Sequence, residues 1–279
     1  MSVVNLPPCV YGKLPARGDF ITRRFERSFL DPWDAWLQQG MIASQESLAE
    51  LWRDIYLTSP VWRFALSAGA CGPETMLGVL IPSVDKVGRY FPLIVGCALP
   101  SGLELTSLIA QASPWYRAIE ALALAALDPG FSLEAFEQPI ELDVDGTNLA
   151  LPAVERLESP GLYLPFAANA HAAALRRAHQ PLAQGLNLWW TTGSERVAPC
   201  LLISPGMPPA SSFTAFLDGD WRGRGWAVPE EEPPQVETAG DAEPREEIEP
   251  NDSTVAAAEA DQRASDQGDQ PEAPRPTDH

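Results

Sequence analysis

The chain has 279 residues, 45% of them apolar and 20% charged, an ordinary globular composition with ample length for a hydrophobic core. Its net charge of −19 is uneven: residues 229–279 carry sixteen Asp/Glu against three arginines, a net of −13, which leaves −6 for residues 1–228. A mildly negative body without a basic stripe argues against nucleic acid as a partner, because that affinity rests on neutralising phosphates.

The N-terminus has no basic segment ahead of a long apolar one, and no stretch approaches the roughly 18 apolar residues of a membrane span. The expectation is a reduced, cytoplasmic protein with no membrane insertion. CVYGKLP (9–15) and GDFITRRF (18–25) read as short strands or an extended hairpin around Pro15 to Gly18. Asp31-Pro32 then offers a helix start, since Asp accepts from free N–H groups and Pro fits the first turn. Trp33, Trp36, Leu37 and Met41 follow at helical spacing, and Leu48, Leu51, Trp52 and Ile55 form a second amphipathic stretch. VWRFALSA, MLGVLIPS and YFPLIVGCAL are three strand candidates. The last two are apolar on both faces, as central strands covered by helices would be.

Pro114 opens the next predicted helix, PWYRAIEALALAAL, which Asp128-Pro129-Gly130 closes. SLEAFEQ is a short helix, IELDVDGTNLALP a hairpin or loop around Asp145-Gly146, and ANAHAAALRRAHQPLAQ a helix at least as far as Pro181. LNLWWTTG and PCLLIS form a strand pair turning at Gly193-Ser194, followed by a helix around SSFTAFLDG. Strands, helices and strands in that order predict an α/β fold with helices on both faces of a mixed sheet. Beyond Val228 there are no aromatic residues, while eight prolines fall among 51 residues, so the domain boundary is expected there: a globular domain over 1–228 and a disordered acidic tail over 229–279. Such a tail reads as a solubilising spacer or, alternatively, as a line that seeks a basic patch on a partner. Cys9, Cys71, Cys97 and Cys200 show no metal-ligand spacing and read as buried, reduced thiols.

Several blocks carry a family resemblance. YGKLPARGDF (11–20), SPVWRF (59–64) and above all IPSVDKVGRYFPL (81–93) are similar to signature blocks of the TagF (ImpM) family of type VI secretion accessory proteins. LWWTTG (188–193) and ISPGMPPASSFTAFLDGDW (203–221) match later blocks in order, so the resemblance spans about residues 9–226. It implies a three-layer α/β/α sandwich. It also implies a post-translational repressor that acts by binding an apparatus component or a scaffold protein with a forkhead-associated domain. Some relatives are fused to a phosphatase, for which this chain has no room.

The residues themselves point to one polar constellation, Arg17, Asp19, Ser83, Asp85 and Arg89, on two loops that leave apolar strands. One reading is that Asp19 or Asp85 pairs with an arginine to tie the loops together. The other is a recognition surface for a protein or an anionic group, since an arginine fork suits carboxylate and phosphate. Catalysis has little to draw on. Ser83 is not in a G-x-S-x-G elbow, and His171 and His179 read as a solvated helix face. No zinc spacing or phosphate loop occurs, so no cofactor is expected. A hydrolase or anion-binding enzyme using Ser83, Asp85 and Arg89 is the alternative function. Trp33 and Trp36 share a helix face and read as core. Trp189 and Trp190 are adjacent in a strand and must point to opposite faces, one into the core and the other available as an interface anchor.

Overall fold

In the computed structural model the described residues are 3–101, 105, 112–143, 159–165 and 186–229, all within one compact unit, Met1–Glu231. The expected turn at Asp145-Gly146, the alanine-rich helix with His171 and His179, and nearly all of the acidic tail lie outside the described residues. The strands are β1 (Val3–Leu6), β2 (Cys9–Gly12), β3 (Ile21–Arg23), β4 (Trp62–Leu66), β5 (Thr75–Ile81), β6 (Leu93–Leu99), β7 (Ile140–Asp143), β8 (Leu162–Pro165), β9 (Asn187–Thr191) and β10 (Cys200–Ser204). The helices are α1 (Arg27–Leu48), α2 (Trp52–Leu57), α3 (Ser113–Ala125), α4 (Ala210–Phe213) and α5 (Ala215–Asp218), with 3-10 turns at Ala49–Leu51 and Leu133–Glu137.

Eight strands form one sheet in the order β3-β2-β6-β5-β4-β9-β10-β8, and β1 pairs with β7 in a separate ribbon. Every pairing between these strands is antiparallel, so the chain is α/β but the expected mixed sheet is not found among them. The reason lies in the connections. The chain after β4, β5 and β9 returns through a loop without a helix, and parallel neighbours need a longer crossover. The hairpin of β2 with β3 and the pair β9 with β10 stand where the sequence placed them.

The sheet is buried on both faces because its central strands carry apolar side chains at successive positions. On β4, Phe64 joins one apolar cluster and Ala65 the other; on β9, Trp189 and Trp190 divide in the same way. The first cluster packs residues of α1, α2, α4 and α5 against the sheet, including Phe29, Trp33, Trp52, Phe213 and Phe216. The second packs Trp115, Tyr116, Ile119 and Ala123 of α3 against Leu77, Val79, Val95 and Trp190. Gly78 on β5 faces Gly96 on β6 and leaves the space that the Phe64 ring occupies, for a Cβ at Gly78 would lie 2.4 Å from Phe64 Cζ.

α1 begins at Arg27, before the expected start at Asp31, and carries Pro32 inside it. The earlier start buries Phe29, which stacks between Phe25 and Trp33 with ring centroids 4.8 and 5.3 Å away. Burying an aromatic ring of this size contributes about 1.5–3 kcal/mol, which offsets part of the cost of the bond lost at proline. α3 begins as expected, with proline in its first turn. All four cysteines are free and buried. Burial pushes the Cys9 thiol up to about 11 and the Cys71 thiol up to about 12, which keeps both protonated and unreactive at neutral pH.

Candidate functional site

Two loops meet at the end of the sheet near the β3 edge. The first follows β2 and runs through Lys13 to Phe20, and the second joins β5 to β6 through Ser83 to Tyr90. Pairing of β2 with β6 brings them together. The approach is close: Gly12 has φ 133°, and a Cβ there would lie 2.2 Å from the Pro92 carbonyl oxygen, so only glycine fits. The second loop turns through Gly88 at φ 87° and closes with the Asp85 N–H donating to the Arg89 carbonyl at 3.0 Å.

Asp85 organises both loops. Its side chain is fully buried, and Oδ1 accepts from the N–H groups of Val87 at 3.0 Å and Arg89 at 2.9 Å. Oδ2 lies 3.0 Å from Lys13 Nζ and accepts from Arg89 Nε at 2.6 Å. Lys13 is itself buried and stands over the Phe20 ring, 5.2 Å from its centroid. The Lys86 N–H donates to the Arg17 carbonyl at 2.8 Å, and the Arg89 guanidinium donates to the Gly18 carbonyl. The loops are thus tied together, as one of the two readings required. The arginine on Asp85 comes from the same loop, however; the charges that cross between the loops are Lys13, on Asp85, and the Arg89 guanidinium, on the Gly18 carbonyl.

Ser83 is buried, and its hydroxyl donates to the Lys13 carbonyl at 2.7 Å. Its carbonyl accepts from the Tyr56 hydroxyl at 2.9 Å, while its N–H donates to the same oxygen at 2.9 Å. Burial pushes the Tyr56 phenol well above its ordinary value, so it remains a proton donor. Ser83 is therefore committed to holding backbone. Arg17 and Asp19 are exposed, and Asp19 reaches Arg89 only at 3.9 Å across solvent, a contact of the kind worth about 0–1 kcal/mol. Arg89 keeps over half of its side chain exposed.

Trp189 and Trp190 do not belong to this site. Both are buried, on opposite faces of β9, so the expected exposed anchor at this pair is not found. Trp190 packs edge-to-face on Tyr116 of α3, 4.7 Å away. Trp189 lies among Trp36, Phe64 and Phe216, with centroids at 5.3 to 5.6 Å. Lys13 and Tyr56 are the residues that sequence reasoning missed, because the groups they hold in this site, Asp85 and Ser83, are distant from them in sequence.

Among the described residues no group of three or more His, Cys, Asp and Glu is placed to hold a metal ion, and no helix is long and apolar enough to cross a membrane. The TagF N-terminal domain, type VI secretion system-associated, matches residues 9–142. PA0076 from Pseudomonas aeruginosa PAO1, known from a crystal structure, is 39% identical over 76% of this chain and 94% of its own, with a TM-score of 0.60. The chain belongs to the TagF family. Comparison with curated proteins gives no match. The matched domain holds every polar residue of the Asp85 cluster, whereas Trp189 and Trp190 lie beyond it.

Electrostatics makes the cluster of this TagF domain sensitive to acid. Burial alone would raise Asp85, but the Arg89 N–H, the Lys13 ammonium, the Arg89 guanidinium and the Val87 N–H outweigh it and hold the carboxyl well below the usual carboxylate range. A carboxyl depressed by folding contributes stability above its unfolded value, about 4, and loses it as pH falls from there through the folded value. The protein is expected to lose stability progressively as pH drops below about 4, and Asp85→Asn is expected to show a shallower dependence over that window. Melting temperatures of both proteins between pH 6 and pH 2.5 provide the check, and parallel curves would count against this assignment.

Proposed function

We propose that this TagF-family chain is a cytoplasmic regulator of type VI secretion that represses the apparatus after translation by binding a component or a scaffold, such as one with a forkhead-associated domain, and that it is not an enzyme. One observation carries the reading. The groups that could do chemistry, Ser83, Asp85 and Lys13, are buried and spent on each other or on backbone, while Arg17, Asp19 and Arg89 remain at the surface above them. A rigid base with an exposed polar crown suits recognition and leaves no activated nucleophile. The three-layer α/β/α arrangement that the family resemblance implies fits the two apolar clusters on opposite faces of the sheet.

The test uses one variant and one dose experiment. Raising the level of the protein in its host is expected to reduce secretion while apparatus components stay at their usual amounts. Ser83→Ala is expected to repress like the parent while losing about 1–2 kcal/mol of stability, since the Lys13 carbonyl loses its donor. Unchanged secretion at confirmed overproduction would refute the repressor reading. A folded Ser83→Ala protein devoid of function would return the hydrolase alternative.

A further inference from the structure

The surface above the Asp85 cluster is more than polar. Val87, at the tip of the second loop, is 68% exposed, and Phe20, at the end of the first, is 45% exposed. Such large apolar exposures are individually ordinary, but these two belong to loops held in contact. Phe20 is fixed rather than loose: it packs against Phe91 with centroids 4.8 Å apart and on Tyr11 at 5.6 Å. Around them stand exposed cations. Arg17 and Lys86 are joined through their backbones, and Arg89 projects from the same loop as Val87. Asp19 is the exposed acid among them.

This local excess of positive charge sits on a body whose net charge is −6 over residues 1–228. Arg89 is also only half used. Nε donates to Asp85 and Nη2 to Gly18, with the exposed Asp19 carboxylate 3.9 Å from that same nitrogen, which fixes the guanidinium plane and leaves the Nη1 N–H groups for another acceptor. A planar donor fork held in place by bonds on one edge is ready to accept a carboxylate on the other without loss of side-chain freedom.

Resting on the reading of this chain as a binding regulator, we propose that its partner surface is the patch formed by Phe20, Val87, Arg17, Lys86 and Arg89, and that the occupant is an acidic segment of a partner protein carrying a bulky apolar side chain. The carboxylates engage the Arg89 edge and the Arg17–Lys86 rim. The apolar side chain covers Val87 and the exposed edge of Phe20. Charge complementarity selects this occupant over a symmetric pairing of two copies through this patch, because that would bring the same cations face to face.

Fluorescence anisotropy on the full chain tests this with three labelled twelve-residue peptides: one rich in Glu with Leu and Phe, the same with Ser for the apolar residues, and the first with Lys for Glu. The first is expected to bind, the second at least tenfold more weakly, and the third without measurable affinity. Binding of the first peptide should weaken at least tenfold between 50 and 200 mM salt. Val87→Asp and Lys86→Glu, both at exposed positions, are each expected to weaken it tenfold or more with melting temperature unchanged. No binding of the first peptide, equal binding of the second, or indifference to both variants would overturn the proposal. A dimer in sedimentation that Val87→Asp dissociates would overturn it in favour of self-association. In the host, a parent that represses alongside two variants that repress equally well would sink this patch and leave the regulator reading standing. A parent that does not repress would sink the regulator reading, and the peptide data would still judge the patch.

Discussion

Lys13→Met is expected to destabilise the protein by about 3 kcal/mol and to lower its melting temperature by about 6–12 °C. Lys13 and Asp85 are both buried, 3.0 Å apart, and removing one member of a buried pair leaves the other poorly compensated, at a cost of about 3–5 kcal/mol. The lower end applies because Asp85 keeps Arg89 and two backbone N–H donors. For a folded body of this size each kcal/mol moves the midpoint by about 2–4 °C. Methionine preserves the apolar stem of the lysine, so the effect isolates the charge. Adding Asp85→Asn to Lys13→Met should cost much less than the two single changes together, because the second change removes the group that the first left stranded. Thermal denaturation of the two singles and the double decides this. Strict additivity would show that Lys13 and Asp85 act independently, against the geometry described.

The same pair shows where the sequence could be read and where it could not. The SVDKVGR loop was legible because its turn chemistry is local: Asp85 caps Val87 and Arg89, Gly88 supplies the left-handed turn, and Arg89 returns to Asp85 four residues on. Lys13 was not legible. Nothing in GKLP marks it, and its partner is brought to it by the register of β2 against β6, with Tyr11 opposite Ile94. No periodicity records such a contact. Tyr56 is hidden in the same way, since its bonds run from α2 to Ser83.

The helix start at Asp31-Pro32 failed for a different reason. Its local signal is strong, but capping is worth about 1 kcal/mol, and the stack of Phe25, Phe29 and Trp33 outweighs it once the sheet provides a surface to pack on. Strand order likewise depends on which elements meet in space. The central position of β5 and β6 followed from apolar residues on both faces, whereas the antiparallel direction of every neighbour did not follow from the order of strands and helices.

Trp189 and Trp190 give the second large expected effect. Adjacency in a strand requires opposite faces, and that much was readable; what decides their role is that each face is covered by helices. Trp189→Ala and Trp190→Ala are each expected to cost about 3–5 kcal/mol, because truncating a buried indole loses its transfer energy and leaves a cavity that the sheet cannot close. Melting temperatures should fall by about 6–20 °C, and partner binding by the fraction still folded should be unchanged. Trp189→Phe should cost far less, about 1–2 kcal/mol, since the indole N–H of Trp189 is buried without a hydrogen-bond partner and phenylalanine removes that donor while keeping most of the ring. Calorimetry beside the peptide anisotropy assay separates the possibilities. A variant with a parental melting temperature and lost binding would mean that one of these tryptophans reaches the surface in solution and that the helical cover over its face opens.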